Sequence, residues 1–279
     1  MMKVDMRAAV NAVSDVVQNR PRPLREFDQI HMKDGDMVMQ SEAIASWAKG
    51  KRLAFIGDGD AISVSVAYLR KRGIIDFGPD KITVFDFDER TVQAVKRFAD
   101  KERLDFLDAE LYNVLDPLPQ IANFDCFYTN PPWGASNAGA SVNAFVQRGI
   151  EAVGFEGEGC VVIADDDELD WPKQVLAKVQ SYASQRGFYV SRMTRKLHSY
   201  HLDDDPNLKS CNLFFTSVPG NTVQASPSVA LSGIDNLRNF YGSSKEPRVQ
   251  YIRELKRPDY GMAPQEEYEL EYIEEEANQ

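Results

Sequence analysis

The chain has 279 residues, a formal net charge of −11, 43% apolar residues and 27% charged ones. That length supports one large core, or one core with appendages, and the balance of apolar and charged residues is that of a globular protein. The acidic surplus argues against general duplex binding, which draws its affinity from lysine and arginine, and favours small cationic partners such as polyamines through long-range attraction.

The opening segment, MMKVDMRAAVNAVSDVV, carries acids early and has no long apolar core, so no signal peptide is expected. No apolar run reaches the roughly 18 residues of a membrane span, and a cytoplasmic setting is expected. Residues 1–50 read as a helical lead-in. Val10, Val13, Val16 and Val17 recur at helical spacing, Pro21 and Pro23 interrupt, and a second helix is expected from Met39 to Lys49 with Gly50 as its stop. This part would form a small helical subdomain or cover an edge of a sheet.

From residue 51 the pattern alternates. Strands are expected at 52–57, 81–86, 104–112, 124–129, 159–164, 188–193 and 211–218, with helices at 61–72, 89–101, 141–153 and about 172–185. Strands apolar on both faces, separated by helix-length segments, indicate a seven-stranded, mostly parallel α/β sheet covered on both sides. Residues 51–218 would make this domain. Residues 219–279 read as a loop-rich extension. Its end carries Asp259, Glu266, Glu267, Glu269, Glu271, Glu274, Glu275 and Glu276 and reads as a loosely packed acidic tail, although Tyr260, Tyr268, Tyr272 and Ile273 interleave with the acids. Cys126, Cys160 and Cys211 lie far apart in apolar runs and read as buried thiols, without metal-ligand spacing. The sequence leaves the oligomeric state open, a homodimer included.

In a sheet of this kind, ligands bind beyond the carboxyl ends of the strands, and the motifs fall there. Gly57-Asp58-Gly59-Asp60 follows the first strand and lets a ligand approach the backbone. It lacks the third glycine of a dinucleotide fingerprint and the lysine of a phosphate loop. Its two acids would repel a pyrophosphate and tolerate a sulfonium or an amine; they also suit helix capping. Asp86 ends the second strand, where a carboxylate accepts ribose hydroxyl protons, while Asp88 suits the cap of the next helix. Asn113 stands past the third strand, where an amide would meet an adenine amine. Asn130-Pro131-Pro132-Trp133 follows the fourth strand. The prolines fix the backbone, the Asn130 oxygen would accept a hydrogen bond from an amine, and Trp133 offers a face to a base or a cation.

The glycine turn, the acid and the Asn-Pro-Pro-Trp segment together resemble the class I methyltransferase-like, Rossmann-like fold. The tetrapeptide is similar to that of enzymes that methylate nitrogen on bases or on glutamine. More specifically, IGDGD, VFDFDER, NVLDPLP, FDCFYTNPPWG and Gln147-Arg148-Gly149, in that order, resemble the branched-chain polyamine synthase (bis-aminopropyl spermidine synthase) family over about residues 50–218. The resemblance implies an aminopropyltransferase that uses decarboxylated S-adenosylmethionine and a secondary amine of spermidine. It places Gly57, Asp58 and Asp60 in the first cofactor loop, Asp86 on the ribose, Asn113 on the adenine side and Asn130 nearest the accepting nitrogen. Archetypal members carry aspartate where this chain has Asn130, and the family's winged-helix-like N-terminal region is expected to be short or missing here.

The acids Asp165, Asp166, Asp167 and Glu168 follow the fifth strand, and Asp203, Asp204 and Asp205 precede the last. They would hold a polycation if they face the cleft; otherwise they are solvated loop acids. His198 and His201 stand three apart, but the chemistry needs no metal and none is expected. His201 would contact substrate. The reaction expected is direct displacement at a sulfonium carbon by an uncharged amine, with Asn130 orienting the nitrogen and Asp58 or Asp166 taking its proton. The other reading is an S-adenosylmethionine-dependent N-methyltransferase acting on a base, a peptide or a small amine. A basic mouth around Arg148 and Arg192 would favour nucleic acid.

Overall fold

The computed structural model describes residues 5–119, 123–221, 223, 227–231, 238–242, 248–257 and 264–273. Two helices come first, α1 (Met6–Val17) and α2 (Asp34–Trp47). The alternating part follows: β1 (Arg52–Ile56), α3 (Ile62–Lys71), β2 (Lys81–Asp86), α4 (Glu89–Glu102), β3 (Leu107–Leu111), β4 (Cys126–Thr129), α5 (Ala140–Ala152), β5 (Glu158–Ala164), α6 (Asp170–Ser184), β6 (Phe188–Ser199) and β7 (Lys209–Ser217). The sheet runs β3-β2-β1-β4-β5-β7-β6. Strands β1 to β5 pair in parallel, and β7 inserts antiparallel between β5 and β6. This is the class I methyltransferase-like arrangement.

The strands are apolar on both faces because two cores use them. Leu53 and Phe55 of β1 pack with Cys126, Tyr128, Cys160 and Val162 on one face. Ala54 and Ile56 pack with Phe127, Val161 and Ile163 on the other. This period of two is the strand period. Helices α1 to α4 cover the first face with Val13, Ile44, Val66 and Phe98, among others. Helices α5 and α6 cover the second with Val146, Ile150 and Val179. Gly149 lets α5 approach the sheet, since a Cβ there would stand 2.2 Å from the Phe127 ring.

The structure refines three expectations. Of the two readings of residues 5–50, packing onto the sheet fits better than a subdomain apart, because Ala9, Val13, Met32, Met37 and Ile44 belong to the same core as β1 and α3. The sixth strand runs to Ser199 rather than 193, through a register shift between Thr194 and His198. Its charged, exposed middle hid it from an apolar-run reading. The acidic end is not loose throughout: β8 (Val249–Glu254) and β9 (Tyr268–Tyr272) form an antiparallel pair, with the short helix α7 (Pro264–Glu267) leading into β9. Tyr268 and Leu270 pack inward while Glu269 and Glu271 face out, as strand alternation requires. Asp259, Tyr260, Glu274, Glu275 and Glu276 lie outside the described residues. Among the described residues no helix is long and apolar enough to cross a membrane.

Candidate functional site

A cleft enclosing about 870 Å³, part of it open to solvent, lies beyond the carboxyl ends of β1, β2 and β4. Gly57, Asp58, Gly59, Asp60, Asp86, Asn113, Asn130, Pro131, Pro132 and Trp133 all line it. Residues far apart in the chain thus converge where a parallel sheet offers its ligand crevice.

The first loop starts at Gly57, whose φ of +75° is easy only for glycine, and where a Cβ would crowd Phe145 at 3.2 Å. Asp58 lines the cleft, but its carboxylate is engaged by the start of α3. One carboxylate oxygen accepts from the Ile62 backbone N–H at 2.9 Å, and the other accepts from the Ser63 backbone and hydroxyl. It therefore satisfies open donors at the start of α3. Burial raises its pKa well above the ordinary carboxyl range. The expectation that Asp58 takes a proton from substrate does not fit this geometry.

Asp86 does face the cleft. One oxygen accepts from the Asp58 N–H and the other from the Asp88 N–H, both at 2.9 Å. A carboxylate has about four acceptor positions, so each oxygen keeps capacity for a further donor such as a ribose hydroxyl. Burial, helped by the charge of Asp88, pushes Asp86 up to about 7. Asp88 itself is buried. It caps α4 through the Arg90 N–H, grips the Arg90 guanidinium and accepts from Gln29 Nε2 at 3.1 Å.

The Asn113 side chain is occupied by the protein. Its Nδ2 donates to the carbonyls of Val249 and Gln250, and its Oδ1 accepts from the Leu115 N–H. It anchors β8 to this wall, so a bond from Asn113 to an adenine amine would compete with three contacts already made. The guanidinium of Arg148 is fully buried, donating to the Val114 carbonyl at 2.8 Å and to Glu151 at 2.8 Å. It supports the wall from behind and forms no basic mouth. Aromatic rings supply the apolar surface: Phe85, Phe87, Tyr112, Phe145 and Tyr241.

At the other end of the cleft, Asn130 is held from two sides. Its Nδ2 donates to Asp60 at 2.8 Å and to the Tyr200 hydroxyl at 3.5 Å, and its Oδ1 accepts from Trp133 Nε1 at 3.3 Å. The Asp60 carboxylate fixes the amide, since only its NH₂ side can meet an acceptor. The oxygen is thereby turned toward Trp133, with a further acceptor position open. Asp60 also accepts from the Met32 N–H at 2.7 Å, and burial raises its pKa. Behind Tyr200 runs a buried polar chain. The Tyr200 hydroxyl meets Ser210 Oγ at 2.9 Å, Ser210 meets His198 Nδ1 at 2.8 Å, and His198 Nε2 meets Gln40 Oε1 at 2.9 Å. Burial lowers His198 to about 4, so it is neutral at pH 7.

Several expected contacts are not brought to the cleft. Asp165 is buried against Arg195, at 2.6 Å. Asp166 caps a turn through the Glu168 and Leu169 N–H groups, so its proposed role as proton acceptor is not supported by its position. Asp167 is exposed and pairs with Arg195 and Lys196. None of the three lines the cleft, and neither does His201, which is exposed. Among the described residues no group of three or more His, Cys, Asp or Glu side chains is placed to hold a metal ion.

Conversely, the cleft includes a stretch with no motif of its own, Phe27 to His31. Met32 pairs with Tyr200 as an isolated antiparallel bridge, and the Lys33 and His201 N–H groups donate across the same junction. The N-terminal loop is thus sewn beside the end of β6, over the first glycine turn. The only cue in the sequence was its position between Pro23 and a helix.

Comparison with known proteins adds the family. Residues 8–278 match the model of the branched-chain polyamine synthase A C-terminal domain. An N(4)-bis(aminopropyl)spermidine synthase of Thermococcus kodakarensis is 29% identical over 150 residues, which are 52% of this chain and 39% of that protein. One from Methanocaldococcus jannaschii is 27% identical over 143 residues, 50% of this chain and 38% of that protein. The chain spans less than half the length of these curated relatives. Among solved structures, the branched-chain polyamine synthase of Thermus thermophilus, in complex with N4-aminopropylspermidine and 5'-methylthioadenosine, superposes with a TM-score of 0.69 at 19% identity, covering 87% of this chain and 71% of that one.

Proposed function

This chain belongs to the family of the branched-chain polyamine synthase A C-terminal domain, and we propose that it transfers an aminopropyl group from decarboxylated S-adenosylmethionine to an amine nitrogen of a polyamine such as spermidine. The relatives that carry such names support the reading. The observation that carries it is the amide of Asn130, locked by Asp60 on its nitrogen side with its oxygen beside Trp133, in the same cleft as the open carboxylate of Asp86.

On this reading the donor nucleoside lies along the aromatic wall, with its ribose hydroxyls donating to Asp86. The acceptor amine donates an N–H to Asn130 Oδ1, which aims its lone pair at the carbon next to the sulfonium. The new C–N bond forms as the C–S bond breaks. The bonding pair stays on sulfur, 5'-methylthioadenosine departs, and the new ammonium passes its proton to solvent. The donor carries its own leaving group, so the protein's task is alignment and desolvation. Removing the amine from water also lowers its pKa and frees the lone pair.

The test is to incubate the protein with spermidine and either decarboxylated S-adenosylmethionine or S-adenosylmethionine, and to identify products by mass spectrometry. An aminopropylated spermidine together with 5'-methylthioadenosine, formed only from the decarboxylated donor, is expected. Methylated product and S-adenosylhomocysteine would instead establish the N-methyltransferase reading, which the uncharged Asn130 beside the Trp133 indole also accommodates.

A further inference from the structure

Every binding cleft for a polycation needs carboxylates whose oxygens are still available. Of the acids lining this one, Asp58 is engaged through both oxygens by the start of α3, and Asp60 accepts from the Met32 N–H and Asn130 and already lies in the field of the Arg20 guanidinium. Asp86 faces the position that suits a ribose. Asp28 remains. It lines the cleft, and its carboxylate makes no hydrogen bond or ion pair among the described residues. Its nearest cation in sequence, Arg25, reaches instead toward Asp204, at 3.6 Å.

The backbone at Asp28 is unusual as well. It ends the short 3-10 turn Arg25–Phe27 in the left-handed region, at φ 58° and ψ 25°. Side chains other than glycine, asparagine and aspartate enter that region at a cost. Phe27 anchors the turn edge-on against Phe87 and Tyr241, and Gln29 anchors it to Asp88 on the far side. The turn therefore sets one carboxylate on the cleft wall between two fixed neighbours. Burial raises its pKa to about 6, with Arg25 pulling the other way. At neutral pH it is largely ionised and partly dehydrated, with the Arg25 charge nearby but no direct ion pair among the described residues, and a cation entering the cleft would relieve that cost.

We propose that Asp28 is a specificity-determining residue of the site, accepting hydrogen bonds from a primary alkylammonium of the substrates. The inference rests on the polyamine reading above. Two substrates present this group: the polyamine acceptor at its ends, and the decarboxylated donor at the end of its aminopropyl chain. 5'-Methylthioadenosine shares the donor's nucleoside and has no ammonium.

The test is equilibrium binding of spermidine, decarboxylated S-adenosylmethionine and 5'-methylthioadenosine to the wild-type chain and to Asp28→Asn. A charge-assisted hydrogen bond is worth roughly ten- to a hundredfold in affinity. Asp28→Asn is expected to weaken spermidine, the decarboxylated donor or both by about tenfold or more, and to bind 5'-methylthioadenosine as the wild type does. Which ligand weakens tells which ammonium Asp28 holds, and intact nucleoside binding shows that the variant is folded. Asp28→Gly, which the left-handed backbone favours, gives the same result if the asparagine variant folds poorly. Equal binding of all three ligands to wild type and both variants would overturn the role of Asp28 and leave the functional reading standing. A wild type that bound 5'-methylthioadenosine but neither ammonium ligand would overturn both.

Discussion

At Asp86, local structure and the proposed function meet in one residue. It holds the first loop and the start of the α4 turn through two backbone N–H groups, and the same contacts aim its carboxylate into the cleft. Burial, then the charge of Asp88, pushes its pKa up to about 7, and a ribose hydroxyl is held better by the ionised form. Affinity for 5'-methylthioadenosine is therefore expected to fall as pH drops through about 7, because protonation removes the acceptor charge. Asp86→Asn would bind more weakly at pH 8 and show no such limb. A wild-type affinity flat between pH 8 and 6 would remove Asp86 from the ribose contact. Asp58 is raised too, but its oxygens face α3. The position of Asp86 could be read in the sequence because an acid ending a strand has few structural alternatives. The competition at Asn113 could not, because its partners at Val249 and Gln250 lie more than a hundred residues away.

Among the elements, the inner parallel strands β1, β4 and β5 were legible because each carries two apolar faces. The segments that complete the site were not, because what orders them is long-range and polar. Helix α2 is the clearest example. It meets the sheet through Gln40, which exchanges hydrogen bonds with Asn212 at 2.7 and 2.9 Å, donates to the Tyr128 hydroxyl at 3.3 Å and accepts from the His198 ring. No spacing in the sequence announces that a glutamine in a helix will meet a histidine 158 positions later. Replacing Gln40 with leucine would leave His198 Nε2 and the Asn212 amide buried without partners, each costing about 1–3 kcal/mol. The expected loss is roughly 2–6 kcal/mol, visible as a lower midpoint in urea with the slope unchanged. Since the chain of contacts continues through Ser210 and Tyr200 to Asn130, the variant should also turn over more slowly while binding 5'-methylthioadenosine normally.

At the scale of the whole molecule, both ends of the chain close on one buried cation. The Arg90 guanidinium is fully enclosed. It pairs with Asp88 at 2.6 Å and with Glu267 at 2.8 Å, its ring partner is Tyr268 at 4.8 Å, and its last donor reaches the Arg22 carbonyl at 3.4 Å. The N-terminal loop, α4 and the C-terminal hairpin therefore share a junction directly beneath the cleft wall. The hairpin is continuous with that wall, since the Ile252 N–H donates to the Phe87 carbonyl at 3.1 Å. The acids of this region looked like solvated tail, and the sequence alone gives no means of separating Glu267, which is buried, from Glu266, which is exposed. Ending the chain after Arg257 tests this joint. It removes Glu267 and Tyr268 and leaves Arg90 with one carboxylate in a partly opened site. Taking one partner from a buried ion pair costs about 3–5 kcal/mol, and β8 would lose its pairing strand as well. The truncated chain is therefore expected to unfold at a lower temperature and to bind 5'-methylthioadenosine more weakly. Glu267→Gln should reproduce part of the stability loss with the hairpin retained. A truncated chain as stable as the full one, with unchanged nucleoside affinity, would show that the hairpin rests against the wall without supporting it.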